Sequence, residues 1–261
     1  MGRILASCNQ KGGVGKTTTA INAATYLAAS GASVLLVDMD PQGNATSGLG
    51  IDKETLDLDV YHAIVDQVPV IEVIRKNVLQ NLDVLPATRR LAGAEVELVD
   101  VPEREYRLKG ILKPLQERYD LILIDCPPAL SLLTINALTV ADGAIIPMQC
   151  EFYALEGLSH LVKTIELIQE RLNPALRIFG ILLTMFDSRT LLSQQVAGET
   201  RKHFGNRVFE TVIPRNVRLA EAPSFGQPVL LYDPSSMGAK AYEQLAREMR
   251  EQLRVGATVK T

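Results

Sequence analysis

The sequence lacks a close cysteine pair. Cys8, Cys126 and Cys150 are far apart and form no C-x-x-C. They read as reduced, mostly buried thiols of a cytosolic protein. An intersubunit iron–sulfur cluster would call for a tighter pair. No run of ~20 apolar residues is present, so no membrane-spanning helix is expected. No signal peptide is expected either, because Lys11 and its neighbouring glycines interrupt the first apolar run. Charge of one sign is also lacking: 27 Lys and Arg stand against 30 Asp and Glu, for a net charge of −3. That balance gives no global attraction to nucleic acid, though a local basic face remains open. No internal repeat, low-complexity tract or linker interrupts the chain. One domain over residues 1–254 is expected, followed by a short tail, 255–261.

What is present suits a large core. Of 261 residues, 47% are hydrophobic, enough for one sizeable globular unit. Strands are expected at Arg3–Cys8, Ser33–Asp38, Leu82–Pro86, Asp120–Asp125, Gly143–Met148 and Arg177–Thr184. Several are apolar at consecutive positions, as in parallel strands buried on both faces. Helical patterns lie between them. From Ala154 to Leu172, Leu155, Leu158, Leu161, Val162, Ile165, Ile168 and Leu172 recur at i+3 and i+4, the stripe of a core-facing helix. A last helix is expected from about Gly238 to Leu253, with Ala241, Leu245 and Met249 on one face. Residues 53–82 read as small surface helices. Pro214 to Pro234, with four prolines, reads as a long loop over one sheet edge. The alternation predicts an α/β fold: a doubly wound, mostly parallel sheet with helices on both faces, like a P-loop NTPase.

The chemistry starts at Gln10-Lys11-Gly12-Gly13-Val14-Gly15-Lys16-Thr17-Thr18, just after the first strand. The pattern G-x-x-x-x-G-K-[ST] needs a first glycine where this chain has Gln10. A second lysine, Lys11, opens the loop instead, giving one more cation than phosphate binding needs. Gly12, Gly13 and Gly15 let backbone N–H groups converge on phosphate oxygens. The helix beginning at Lys16 or Thr17 points its positive end at the same place. Lys16 can reach the β- and γ-phosphates, and the Thr17 hydroxyl can ligate Mg²⁺.

Three acids complete the pattern. Asp38 and Asp40 end the second strand, and two residues apart they share a face of an extended segment. Asp125 ends Leu121-Ile122-Leu123-Ile124 and suits the Walker-B role, holding magnesium through a water. A single aspartate at such a place is ordinarily a cap or turn former. Three beside this loop point to a metal and water site.

The segments KGGVGKTT, LLVDMDPQGNAT, LILIDCPP and VIPRNVRLAEAPSFG, in that order, resemble the ParA/Soj chromosome- and plasmid-partitioning ATPases. These are members of the deviant-Walker family that includes MinD and the nitrogenase iron protein. The resemblance covers nearly the whole chain. The short chromosomal form matches best, as no helix-turn-helix region precedes the loop. The resemblance implies a slow ATPase that uses ATP and Mg²⁺ and forms an ATP-dependent sandwich homodimer. Lys11 would reach across the interface to the partner's nucleotide, and Gly12 would sit where the subunits meet. Lys16 would bind its own ATP, and Asp40 would orient the attacking water. Asp38 would lie near magnesium. The nucleotide-binding set would be Lys11, Gly12, Gly13, Val14, Gly15, Lys16, Thr17 and Thr18, with Met185, Pro214, Arg215 and Asn216 around adenine. Glu151 would approach the ribose or the interface.

The resemblance also implies non-specific binding of double-stranded DNA through Arg189 and Arg218, directed at phosphates. Arg201, Lys202, Lys163 and Lys240 read as solvated helix faces. The expected partner is a ParB-type centromere-binding protein, and the expected location the nucleoid of a bacterial cytoplasm. Two other classes compete. A membrane-surface ATPase like MinD would need a terminal amphipathic helix, and residues 253–261 contain Gly, β-branched residues and no aromatic. A metabolic enzyme on the same scaffold, such as an ATP-dependent carboxylase or an electron-transfer ATPase, would need in the first case a small-molecule pocket that the sequence does not reveal and in the second a cysteine pair that it lacks.

Overall fold

The structure is a computed structural model that describes residues 1–253. The expected tail, 255–261, and residue 254 lie outside the described residues. Eight strands form one sheet in the order β3-β4-β2-β5-β1-β6-β7-β8. They are β1 (Arg3–Ser7), β2 (Val34–Asp38), β3 (Arg75–Leu79), β4 (Leu82–Leu85), β5 (Leu121–Asp125), β6 (Gly143–Gln149), β7 (Arg177–Phe186) and β8 (Val208–Pro214). All neighbours pair in parallel except β3 and β4. Strands β2 and β5 are buried at every residue, which is why they read as unbroken apolar runs rather than alternating ones.

Helices cover both faces, so the fold is the doubly wound α/β class. The helices are α1 (Lys16–Ala29), α2 (Asn44–Gly48), α3 (Val60–Ile64), α4 (Val70–Val73), α5 (Leu91–Glu97) and α6 (Arg107–Leu112). After them come α7 (Leu132–Val140), α8 (Ala154–Arg171), α9 (Leu191–Phe204), α10 (Val217–Glu221), α11 (Val229–Tyr232) and α12 (Met237–Leu253). Alternate strand residues feed two separate cores. Ile4, Ile122, Ile124 and Ile146 pack with α7 and α8 on one face. Leu5, Leu36, Leu123 and Ile145 pack with α1 and α12 on the other. Helix α1 is buried from Thr19 to Ala28. A helix covered on all sides needs small or apolar residues all round, and its Ala- and Thr-rich sequence supplies them.

Two stretches depart from expectation. Residues 53–82 hold the expected small helices but also β3, an antiparallel edge strand whose first three residues are exposed. Residues 214–234 are not a long loop. They fold into α10, a 3₁₀ turn at Ala222–Phe225, and α11. The prolines start those turns: Pro223 opens the 3₁₀ segment and Pro228 precedes α11, positions where no N–H is required. The preceding strand, β8, was also missed. It forms the other sheet edge and is covered by distant side chains. The Glu248 carboxylate accepts the N–H groups of Glu210 and Thr211 at 2.8 and 3.1 Å. Arg201 donates to the carbonyls of Phe209 and Glu210, so it braces the sheet rather than only facing solvent. Satisfying edge groups in this way blocks pairing with other strands. All three cysteines are free and buried. Among the described residues no helix is long and apolar enough to cross a membrane.

Candidate nucleotide site

The parallel register gathers the chemistry at the carboxyl ends of the strands. Asp125 on β5 pairs with Ser7 of β1 on one side and with Asp38 of β2 on the other. The loop from Cys8 to Gly15 leaves β1 at this edge and turns into α1. Gly13 and Gly15 have φ of +73° and +88°, a region in which side chains are strained. A Cβ added at Gly12 or Gly13 would meet nothing within 4 Å, so the cradle there is open.

Segments remote in sequence brace the loop. The Asn9 amide donates to the Pro147 carbonyl at 2.8 Å, and its oxygen accepts the Lys11 N–H at 3.0 Å. The Thr184 hydroxyl donates to the Val14 carbonyl at 2.8 Å. Lys16 is only 6% exposed and donates from Nζ to the Lys11 carbonyl at 3.0 Å. Burial lowers its pKa, and the Asp125 charge partly restores it. Lys11 points the other way. Its side chain is 48% exposed and pairs with Glu151.

The acids divide sharply. Asp38 is fully buried and satisfied. It accepts the N–H and hydroxyl of Thr46 at 2.9 and 2.8 Å, and the Asp40 N–H at 3.1 Å. The Thr46 hydroxyl accepts the Ala87 N–H at 2.9 Å, tying β2, α2 and the segment after β4 together. Burial pushes the Asp38 carboxyl up to about 6 against these hydrogen bonds. Asp40 is nearly buried, with one carboxylate oxygen accepting the Gln42 N–H at 2.9 Å. Asp125 is fully buried, yet neither oxygen has a partner at hydrogen-bond geometry. Burial and the Asp38 charge push it well above the usual carboxylate range. The nearby Thr17 hydroxyl and Lys16 ammonium pull it partly back.

An orphaned, buried carboxylate beside a threonine hydroxyl fits a hydrated divalent cation. Among the described residues no cluster of three or more His, Cys, Asp or Glu is arranged to hold a metal. Such a site suits an ion held mainly by phosphate oxygens and waters, as magnesium prefers. Asp38, by contrast, already accepts from three protein donors, which makes it an organiser of the Asp40 turn.

A cavity of about 350 Å³ opens beside the loop, lined by Gly15, Thr18, Met185, Pro214, Arg215 and Asn216, with Val217, Leu219, Ala220 and Tyr242. All four residues expected around adenine therefore share one wall. Met185 has φ of +49°, a turned backbone that an ordinary side chain rarely adopts. Glu151 does not line this cavity. Thr184, Asn9, Thr46 and Tyr242 were missed by the sequence reading. Tyr242 is buried and reaches the Thr19 hydroxyl at 3.1 Å, joining α12 to α1. A larger cavity, about 570 Å³ between Ala63–Val70 and Pro102–Pro114, contains no motif residue.

Of the arginines expected to meet DNA, Arg218 lies on α10 between residues that line the 350 Å³ cavity. Arg189, 87% exposed, makes a two-point pair with Asp187. Arg218 pairs with Glu221 and Asp233.

Residues 2–178 match a family model described as an AAA domain. The sporulation initiation inhibitor protein Soj of Bacillus subtilis is 58% identical over 95% of this chain and 98% of its own length. The chromosome partitioning protein ParA of Myxococcus xanthus is 55% identical over 95% of this chain and 88% of its own. A solved structure of cobyrinic acid a,c-diamide synthase from Mycobacterium smegmatis, with bound ADP and magnesium, superposes with a TM-score of 0.83. It is 38% identical over 96% of this chain and 95% of that one.

Proposed function

Because the chain belongs to the Soj/ParA chromosome-partitioning ATPases, we propose that it is an ATP-timed dimeric switch on DNA. It is an ATPase that uses ATP and Mg²⁺. Lys16 and the loop N–H groups hold the phosphates, and Met185, Pro214, Arg215 and Asn216 hold the base. Thr17 and Asp125 hold magnesium, Asp125 through a water. The ion neutralises phosphate charge, as phosphoryl transfer requires.

The observation that carries the dimer is the split between the two lysines. Lys16 is enclosed by its own subunit, whereas Lys11 stands at an open glycine lip, half exposed. A cation at that lip can serve a nucleotide held by a second copy. Full charge compensation then depends on assembly, which couples nucleotide state to dimerisation. Asp40, nearly buried with one oxygen uncommitted to Gln42, orients the attacking water. Arg189 and Arg218 provide a phosphate-directed DNA surface that the dimer completes on the nucleoid. A ParB-type partner stimulates hydrolysis. The solved cobyrinic acid a,c-diamide synthase is less similar to this chain than the curated Soj and ParA relatives are, so it supports the scaffold rather than a synthase reading.

The test is binding to a random-sequence duplex with ATP, ADP or no nucleotide, at two salt concentrations. ATP-dependent affinity that falls steeply with salt is expected. Equal affinity in all three states, or ATP-dependent sedimentation with liposomes instead, would overturn the reading.

A further inference from the structure

The two DNA-directed arginines are not free. Arg189 donates from Nε and Nη2 to the two carboxylate oxygens of Asp187 at 2.9 and 2.7 Å. Arg218 donates from Nη1 to Glu221 at 2.8 Å, and its Nε lies 3.2 Å from an Asp233 carboxylate oxygen as an ion pair. The two acids that face Arg218 are held in place by other groups, whereas Asp187 accepts only from Arg189, through its backbone N–H as well as its guanidinium. The Tyr232 hydroxyl donates to the same Glu221 oxygen at 3.1 Å. Ser235 donates from its N–H and hydroxyl to the other oxygen of Asp233, at 3.2 and 2.8 Å. Glu221 and Asp233 are thus pre-positioned, and the Asp187 fork offers the Arg189 guanidinium the same two-oxygen geometry as a phosphate.

We infer that Asp187, Glu221 and Asp233 are built-in counter-ions that occupy Arg189 and Arg218 within the subunit and compete with DNA phosphates for them. This inference rests on the DNA-binding reading above. The acids act twice. They fill the hydrogen-bonding face of each arginine, and their charges repel a phosphate within the Debye length. Exposed ion pairs are weak, so the block is one that a modest rearrangement can lift. The base cavity is placed to supply it. Val217, Leu219 and Ala220 of α10 wall that cavity, and Arg218 lies on the same helix. Met185, which also lines it, stands two residues before Asp187. Of the three pairs only Arg218–Asp233 joins different elements, so a shift of α10 on a seated base would open that one. The ATP dependence of DNA binding then arises partly within each subunit, before any second copy arrives.

The test compares a Glu221→Gln/Asp233→Asn variant, and separately Asp187→Asn, with wild type on a random-sequence duplex, without nucleotide and with ATP. A Glu72→Gln/Asp66→Asn variant matches the charge change of the double variant. Both control residues are exposed and lie just before β3, at the other end of the sheet. The double variant is expected to bind DNA about tenfold more tightly without nucleotide, with the salt slope steeper by about one for the freed arginine. Its ratio of ATP-bound to nucleotide-free affinity should shrink accordingly, and Asp187→Asn should move the same way. Nucleotide-free affinity within twofold of the control for both acid variants would overturn the inference. Arg189→Ala/Arg218→Ala separates the two levels. If that variant loses DNA binding while the acid variants change nothing, only the counter-ion role falls. If it binds DNA as wild type does, the surface itself has been misplaced.

Discussion

The inner wall of the nucleotide site and its outer lip are built on opposite principles. On the inner wall, Lys16 at the start of α1 and Asp38 and Asp125 at the ends of central strands are buried, and their charges are set against one another. On the outer lip, Lys11 and Glu151 are roughly half exposed, and Gly12 leaves open space. The wall is a fixed electrostatic field that a ligand completes from one side. The lip offers a cation whose present partner is exchangeable. The contrast fits the proposed division, with ATP capture at the wall and assembly at the lip.

The largest expected effect separates chemistry from capture on the wall. Asp40→Ala should lower turnover by about 10²-fold or more while ATP binding and dimerisation persist. Steady-state ATPase assays beside nucleotide-binding titrations check this, and near-normal turnover would remove Asp40 from its water-orienting role. A smaller effect distinguishes the two buried aspartates. Asp38→Ala strands the Thr46 and Asp40 donors and should destabilise the fold by about 3 kcal/mol. Asp125→Ala removes a buried carboxyl with no hydrogen-bond partner and should cost no metal-free stability near neutral pH, raising it instead. It should nonetheless weaken magnesium-dependent hydrolysis. Denaturant unfolding without nucleotide gives both numbers, and equal losses would erase the distinction.

The pH dependence follows from the same pair. Both carboxyls titrate higher in the folded chain than in the unfolded one, so the folded state binds more protons between the two values. Their contribution to stability is full below the ordinary carboxyl value of 3.8 and is lost as pH rises through about 6 for Asp38. Asp125, raised well above its usual value, extends the loss further upward. Asp125→Asn should therefore flatten the fall in the metal-free melting temperature above about pH 6. A profile identical to wild type would show that its charge is compensated by something else.

Much of this wall was legible in the sequence because its parts are local. The glycines, Lys16 and Thr17 lie within one short loop, and β2 and β5 are unbroken apolar runs ending in aspartate. The braces were not legible. Thr184 meets Val14 across 170 residues, and Asn9 meets Pro147 across 138. No spacing rule announces a hydroxyl that will meet a carbonyl so far away. The sheet edges were missed for a related reason. Strand β3 is short and polar, and β8 depends on Glu248 and Arg201 for the partners an inner strand would find in its neighbours. The four adenine-side residues come from two segments brought together by the pairing of Phe186 with Pro214, and only the family resemblance linked them beforehand. Asp38 was expected near magnesium, and its hydrogen bonds to Thr46 show what else its carboxylate does.

The most direct test of the lip is the mass of the protein in solution with ATP and Mg²⁺, by sedimentation, for wild type, Lys11→Ala and Gly12→Val. A side chain at Gly12 meets nothing within the subunit, so the Gly12→Val fold and its ATP binding should be intact. Wild type is expected to double its mass with ATP, and both variants to remain monomeric while still binding nucleotide. Dimers of wild-type affinity in Lys11→Ala and Gly12→Val would contradict the account.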